Sequence, residues 1–309
     1  MIIARVRPAR RKIVLQVFTV LNVFLMATLF IAATAAVLLV APSTALAQVA
    51  QAEPEYTGDD RIEKWKGKTV LVVTPHPDDE TFTSGGLLSM LVANGNNVQI
   101  LIYTTDNAGS NDPAMTKEKL AEIRRREEEE SCAILGIPKD HITWLGHDDG
   151  MLEYVDRREL TKQVAREIRR HKPDALLSID PGAPYEQWHK SDHRSGAVIT
   201  ADAMRAAAWR LYFPELEREG FKHHNVPVAF FFYSNQPNYT VDITDVLEKK
   251  AKAAAAHTRQ FGDMLKRYNA TNLNEQREGL AKMLMASPLI KRKNGRVVEQ
   301  FRRTTAYGG

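Results

Sequence analysis

The 309-residue sequence contains a single cysteine, Cys132. One thiol excludes an intramolecular disulfide and a metal cage built from several cysteines. Any metal site is therefore expected to use histidine, aspartate and glutamate side chains. Cys132 itself stands in an apolar helical segment, and this predicts a place for it in the hydrophobic core.

Two common enzyme motifs are also absent from the sequence. No GxGxxG motif follows the first predicted strand, which argues against binding of a dinucleotide. No GxSxG motif occurs, which argues against a serine hydrolase. Internal repeats and low-complexity tracts are missing as well. The 44% hydrophobic and 26% charged residues are ordinary for a soluble protein with one core.

The first 47 residues contain no acidic side chain. They hold five of the 42 lysines and arginines, so the rest of the chain has slightly fewer basic residues than its 38 acidic ones. The pI of about 9.0 thus reflects one basic cluster and does not predict a nucleic-acid-binding face. The cluster consists of Arg5, Arg7, Arg10, Arg11 and Lys12.

An almost continuous apolar run, Ile13 to Ala41, follows this basic cluster. The run is long enough to span a bilayer, and the small residues before and at Ala47 fit a signal-peptidase site. We therefore expect residues 1–47 to be a signal peptide or a membrane anchor. The protein is then exported, and is either secreted or periplasmic after cleavage, or anchored to the membrane with its domain outside. The polar residues 48–66 are interpreted as a linker, and residues 67–309 as one folded domain.

Strand and helix patterns alternate along this predicted domain. Such alternation is typical of an α/β fold, here a Rossmann-like, mainly parallel sheet with helices on both faces. The predicted strands are "KTVLVVTP", "NVQILIYTT", "HITWL", "DALLSI" and "VPVAFFFYS", and the predicted helices cover Glu80–Asn94, Lys117–Leu135, the stretch around Leu160–Ile168, Arg194–Leu211 and Ile243–Phe261.

Charged residues follow the first predicted strand, in the stretch "HPDDE" that begins at His76. Ligands of parallel sheets bind beyond the carboxyl ends of the strands, and His193 with Asp192 follows another predicted strand. His76, Asp79 and His193 would form a metal site of two histidines and one carboxylate, with an open position for a reacting water. Asp78 would then stand beside the metal, placed to accept a proton from that water. A simpler interpretation is that these acids only cap a helix.

Three other charged groups are expected to have no role in a site. Glu127 to Glu130 is interpreted as an exposed helix face, and the basic stretch Lys291 to Arg303 as a solvated tail rather than a membrane or nucleic-acid contact. The remaining group is made up of isolated histidines, interpreted as ordinary polar residues: His147, His171, His223 and His224.

Five motifs occur in an order that resembles the LmbE-like (PIG-L) family of zinc-dependent N-deacetylases. The first motif is "PHPDDE" with the "GG" that follows it. The other four are "RRREEEESCAILGI", "LGHDDGML", "DHRSGA" and "KKAKAAAAHTRQ". The resemblance extends from about Lys68 to about Phe261. It implies a Rossmann-like fold and removal of an acetyl group from an N-acetylglucosamine-type amino sugar. It also implies zinc, with iron(II) as the alternative metal, on His76, Asp79 and His193.

The resemblance assigns further residues as well. It implies that Asp78 is the general base and that Arg125 and Asp148 contact the sugar. The local alignment leaves Asp149 as an alternative to Asp148. Asp192 is interpreted as a carboxylate that orients a neighbouring imidazole.

The sequence departs from the family at its second motif, where Lys190 stands in place of a histidine that helps to stabilise the oxyanion. Either Lys190 or the neighbouring His189 would supply this contact, or Lys190 has no role. The departure leaves two alternative functions open. One is a zinc amidase acting on another amide, and the other is an exported carbohydrate-binding protein that retains the metal without turnover.

Overall fold

The computed structural model describes residues 56–182, 190–261, 272–288 and 290–305. The predicted signal or anchor segment, 1–47, lies outside these residues, as does His189. No helix of the described part is long and apolar enough to cross a membrane. The predicted linker is described from Tyr56 onwards, and Ile62 within it is fully buried in the core. Packing of the domain thus begins before the predicted boundary at residue 67.

One mixed sheet forms the centre of the domain. Its strand order is β3-β2-β1-β4-β5-β8-β6, with β7 paired to β8. The first five of these strands are parallel, whereas β8 runs antiparallel to its neighbours. The strands are β1 (Thr69–Thr74), β2 (Asn97–Thr104), β3 (Ile142–His147), β4 (Ala175–Ile179), β5 (Val228–Phe232), β6 (Tyr239–Asp242), β7 (Arg292–Lys293) and β8 (Arg296–Thr305).

Helices cover both faces of the sheet, as the sequence predicts. Successive residues of β1 point to opposite faces, so Val70 and Val72 pack in one apolar cluster and Leu71 and Val73 in another. The first cluster contains side chains of α1, α2 and α6, and the second contains side chains of α3 and α4. The helices are α1 (Asp79–Ala93), α2 (Lys117–Leu135), α3 (Arg157–His171), α4 (Ser191–Ala208), α5 (Pro214–Arg218), α6 (Leu247–Ala256) and α7 (Leu273–Ala286).

Local sequence signals account for the ends of α2. The side chain of Thr116 accepts a hydrogen bond from the backbone N–H of Lys119 and caps the first turn. Gly136 ends the helix in a left-handed conformation at φ 96°, which glycine adopts without strain. The bounds predicted from the sequence therefore coincide with the observed ones.

The interpretation of the C-terminal basic stretch as a solvated tail is wrong. Residues 296–305 form β8, which lies between β5 and β6, and its side chains Val297 and Phe301 are buried. Its arginines pair with acids from distant parts of the chain, as Arg302 does with Asp180 at 2.6 Å. The number of charges in this stretch therefore could not predict a strand, because its neighbours in the sheet are remote in sequence.

Glu299 of β8 links the C-terminal strand to the start of the domain. Its carboxylate accepts hydrogen bonds of 2.8 Å from the backbone N–H groups of Gly86 and Leu87 in α1. The ammonium of Lys250 on α6 lies 2.6 Å from the same carboxylate, and both charged side chains are buried. Gly86 is required at this junction because a Cβ atom would stand 2.7 Å from Ile243. One carboxylate thus joins two helices to the sheet.

We expect Glu299→Ala to lower the free energy of unfolding by about 3–5 kcal/mol, because it leaves the Lys250 ammonium buried without its partner. Denaturant unfolding measures the loss. The matched control is Glu248→Ala, which removes an exposed pair with Lys252 on one helix and should leave the free energy of unfolding almost unchanged, because solvent screens that pair. Equal losses in the two variants would contradict the assigned role of Glu299.

Candidate active site

The candidate site lies where the strand order of the sheet reverses. β1 and β4 are neighbours in the sheet, but β1 continues to β2 on one side and β4 to β5 on the other. The segments that follow such strands run in opposite directions and form a crevice between them. This crevice is the usual ligand position in open α/β sheets. His76 follows β1 and α1 begins at Asp79, while β4 is followed by α4 with His193 in its first turn.

The three predicted metal ligands converge in this crevice. Oδ2 of Asp79 lies 3.3 Å from Nδ1 of His76 and 3.3 Å from Nε2 of His193. The ligand atoms of the three residues all lie within 4.8 Å of one another, and the centroids of the two imidazole rings are 5.1 Å apart. All three side chains are buried. Two loops that are distant in sequence therefore present their donor atoms to one point.

The donor set fits a divalent transition metal. Two imidazole nitrogens and one carboxylate oxygen are ligands that zinc and iron(II) accept, and three protein ligands leave a position for a substrate or a water. Nδ1 of His76 is fully buried yet makes no hydrogen bond within the described part of the chain. Its near neighbour is the carboxylate of Asp79 at 3.3 Å, and an ion bound between the two groups would satisfy both.

Carboxylates around His76 favour a positive charge at this point. Its Nε2 lies 3.1 Å from Oδ1 of Asp149 and 3.3 Å from Oδ2 of Asp192. Burial lowers the pKa of His76, but hydrogen bonds to Asp149, Asp192 and Asp79 outweigh it and raise the pKa to about 10. The carboxylates at Nε2 are suited to hold the ring with its other nitrogen facing Asp79, as partners of metal-binding histidines do.

Asp192 connects the two halves of the site. Besides the contact with His76, its carboxylate accepts hydrogen bonds of 2.6 Å from the backbone N–H of Gly150 and 3.1 Å from that of Leu152. The side chain is fully buried. The loop that carries Asp149 is therefore fixed to the same carboxylate that contacts His76.

Asp78 combines a strained backbone with a perturbed carboxyl group. Its φ of 121° is rare for a residue with a side chain and is typical of functional positions where the surroundings enforce the strain. Burial raises the pKa of Asp78 well above its usual range, and the charge of Asp79 adds to the effect, whereas His76 lowers it. A carboxylate with a raised pKa is a stronger base and is suited to accept a proton near neutral pH.

The two acids predicted to contact a sugar have different surroundings. Asp148 is half-exposed and accepts hydrogen bonds from Asn107 at 2.8 Å and from Lys117 at 3.0 Å. Asp149 instead faces the crevice, with its carboxylate against His76. Of these two neighbours, the structure brings only Asp149 to the three predicted ligands.

The predicted basic residues also differ in position. Arg125 is exposed, and its guanidinium lies 4.4 Å from the centroid of the Trp144 ring. Lys190 is exposed and directly precedes α4, and its charge acts on Asp78 and Asp149 by lowering the pKa of each. Lys190 therefore lies at the rim of the crevice, whereas the Arg125 side chain packs on an aromatic ring.

Two residues near the site were not predicted from the sequence. Arg124 is buried, forms an ion pair with Asp106, and belongs to the buried stripe of α2 that also contains Leu120 and Leu135. This helical spacing could have distinguished the buried Arg124 from the exposed Arg125.

Tyr233 follows β5, stacks on the His193 ring at a centroid distance of 5.8 Å and hydrogen-bonds to Asp79. No sequence motif marks Tyr233.

The interpretation of Glu127 to Glu130 as an exposed face is wrong for its first two residues. Glu127 is buried and accepts hydrogen bonds from the Thr258 hydroxyl and the Arg259 backbone N–H. Glu128 is also buried, while Glu130 is exposed. A run of like charges on a helix thus spans both its core face and its solvent face.

Comparisons with known proteins give consistent matches. Residues 71–204, which contain all three predicted ligands, match the family described as "PIG-L: GlcNAc-PI de-N-acetylase". Over 198 residues the chain is 35% identical to diacetylchitobiose deacetylase of Thermococcus kodakarensis, a match that covers 63% of this chain and 70% of that protein. It is 27% identical over 201 residues to the probable N-acetyl-alpha-D-glucosaminyl L-malate deacetylase 2 of Bacillus anthracis, covering 62% and 81% respectively.

A solved structure shares the fold. The N,N'-diacetylchitobiose deacetylase from Pyrococcus horikoshii, complexed with its inhibitor MPG, superposes with a TM-score of 0.63 at 30% sequence identity. The superposition covers 77% of this chain and 84% of that one. The α/β sheet with helices on both faces is thus the architecture of a known deacetylase.

Asp192→Asn is expected to weaken metal binding about 10–100-fold, the usual cost of losing the carboxylate behind a metal-binding histidine. Competition with a chromophoric chelator measures the affinity. Asp202→Asn serves as the control because Asp202 lies on the same helix but pairs with Arg157 at the surface. Unchanged affinity in the Asp192 variant would show that this carboxylate does not support His76.

Proposed function

Since the chain belongs to the PIG-L (LmbE-like) family and is an N-deacetylase, we propose that it is a zinc-dependent hydrolase of N-acetylglucosamine-type sugars or glycoconjugates. The observation that carries the proposal is the convergence of His76, Asp79 and His193 beside the strained Asp78. The reaction cleaves the amide C–N bond with water and yields acetate and a free amino sugar.

His76, Asp79 and His193 would hold the metal. When bound, zinc or iron(II) supplies a Lewis acid that polarises the acetamide carbonyl and makes water a stronger nucleophile. The chain's own contribution is to fix the three donor atoms. Asp192 and Asp149 would hold the His76 ring through its Nε2 atom, which leaves Nδ1 for the metal. Burial of these groups in the crevice strengthens every electrostatic contact made there.

Asp78 would act as general base and then as general acid. Its carboxylate takes a proton from the attacking water and returns it to the departing amine nitrogen, so that the proton count balances. The buried position and the neighbouring charge of Asp79 keep its pKa raised, which suits both roles. The enforced backbone conformation fixes the direction of this side chain before substrate arrives.

Lys190 would stabilise the negative charge that develops on the carbonyl oxygen. It precedes α4 at the rim of the crevice, and its ammonium is near enough to affect both Asp78 and Asp149. A cation at this position takes over the part of the family's histidine. His189 is the alternative donor for the same contact.

An N-acetylated amino sugar is the substrate class that the relatives support. Two of the proteins compared above are named for the deacetylation of diacetylchitobiose. We propose that Asp149, which faces the crevice, contacts the sugar in preference to Asp148. The assignment of Arg125 to sugar contact requires its side chain to leave Trp144 when substrate binds. Export through the N-terminal segment would direct the enzyme to an envelope or extracellular glycan.

An acetate-release assay tests the function directly. The metal-loaded protein is incubated with N-acetylglucosamine, diacetylchitobiose and longer N-acetylated oligosaccharides, with an N-acetylated peptide as the comparison amide. Acetate from the sugars and none from the peptide is the expected result. Cleavage of the peptide alone would favour the amidase, and binding of sugars without acetate release would favour the carbohydrate-binding protein.

Asp78→Asn is expected to reduce kcat by about 10²–10⁴, the range for removal of a positioned acid–base group. Metal content should remain at the wild-type level because Asp78 is not one of the three ligands. Acetate release and elemental analysis on the same preparation measure the two quantities. Turnover equal to that of the wild type would refute the general-base assignment.

Lys190→Met is expected to lower kcat by about 10²–10³ with little change in metal content, as for loss of one oxyanion contact. Lys190→His, which restores the residue of the family, should retain most of the turnover. Lys139→Met is the control, because Lys139 is an exposed lysine that precedes the edge strand β3, whereas the crevice lies at the carboxyl ends of the central strands. Full activity of Lys190→Met would assign the contact to another residue.

A further inference from the structure

A second cluster of ionisable side chains lies behind the candidate active site. Glu80 of α1 faces Glu128 and Cys132 of α2, and His257 follows α6 beside them. None of the four side chains is more than 1% exposed. None of them is among the residues assigned above to metal binding or catalysis.

The geometry of this cluster is that of a ligand set. Donor atoms of Glu80, Glu128 and Cys132 all lie within 4.8 Å of one another. The Cys132 thiol donates a hydrogen bond of 3.2 Å to Oε1 of Glu128, and Oε2 of Glu128 lies 3.7 Å from Nε2 of His257. Neither Oε2 of Glu128 nor Nε2 of His257 has a hydrogen-bond partner among the described residues. Two buried polar atoms thus lie close to each other without a hydrogen bond.

The cluster also lacks a compensating positive charge. In the described part of the chain neither Glu80 nor Glu128 forms an ion pair with a lysine or an arginine. Burial raises the pKa of Glu128 well above its usual range, and the charges of Glu80, Asp78 and Asp79 raise it further. Buried carboxylates are normally paired with a cation or bound to a metal ion.

We propose that Glu80, Glu128 and Cys132 bind a second divalent transition-metal ion, with His257 as the nearest additional donor. A thiolate, two carboxylates and an imidazole suit zinc and similar ions, whereas calcium and magnesium take oxygen ligands. The sequence predicts metal sites without cysteine, but one thiol can contribute one ligand to a mixed site. Burial and the neighbouring Glu128 raise the pKa of the Cys132 thiol well above its usual range, so binding of an ion must release the thiol proton to solvent.

An ion at this position would support the active site indirectly. Oε2 of Glu80 accepts a hydrogen bond of 3.3 Å from the backbone N–H of Asp78, the residue with the strained φ. Holding Glu80 therefore holds the loop between β1 and α1. The second ion would have a structural role, because its ligands are buried and a substrate in the crevice could not contact it.

Cobalt substitution tests the proposal, because the chain has only one cysteine. A thiolate bound to Co²⁺ gives a near-ultraviolet charge-transfer absorption, and the three predicted catalytic ligands contain no sulfur. The full chain is prepared under reducing conditions, loaded with Co²⁺ and freed of excess metal. Two Co²⁺ ions per chain together with this absorption are expected.

Variants assign each ion to its site. His193→Ala should bind one Co²⁺ ion and keep the charge-transfer absorption, whereas Cys132→Ser and Glu128→Gln should bind one ion and lose it. The wild-type spectrum alone decides the question if a core variant fails to fold. One ion per chain without the absorption would mean that protons neutralise the cluster, and two ions without it would place the second ion elsewhere. Either result overturns the proposal.

Discussion

The pairing of β1 with β4 is the constraint on which the site depends. Four consecutive residues of each strand are in parallel register, from Val70 opposite Ala175 to Val73 opposite Ser178. This register brings the end of β1 beside the end of β4, so that His76 meets Asp192 although 116 positions separate them in the chain. A shift of register would move α4, and with it His193, relative to Asp79, and the donor atoms would no longer converge. Apolar packing on both faces of the sheet thus sets the geometry of a polar site.

Burial of so much negative charge requires compensation from several sources. Asp79 and Asp192 lie in the first turns of α1 and α4, where backbone N–H groups and the helix dipole favour anions. Arg124 provides positive charge within the protein through its ion pair with Asp106. What remains is a point of strong attraction for a cation, bounded by imidazoles that fix where it can bind. The excess of buried negative charge, which destabilises the metal-free protein, therefore favours binding of a metal ion.

Features that depend on local sequence were predictable. The capped helix α2 and the strand before "HPDDE" carry their own signals, and the rule for parallel sheets then placed His76, Asp79 and His193 together. Residues whose role depends on remote partners were not predictable in this way. β8 is recognised as a strand only through its pairing with β5 and β6, and Tyr233 only through its contact with His193. Glu128 was misread because one run of charges covers two faces of a helix.

Strain at Asp78 unites the fold with the proposed chemistry. A positive φ at a residue with a side chain costs on the order of 1–3 kcal/mol and persists only where neighbouring contacts enforce it. Two such constraints follow Asp78 in the chain, since α1 begins at Asp79 and the carboxylate of Glu80 accepts a hydrogen bond from the backbone N–H of Asp78. Glu80 in turn is buried against α2, which is packed on the sheet. The direction of the Asp78 carboxyl is therefore set by the core beneath the crevice, and the proposed role of Asp78 as a base requires that this core remains intact.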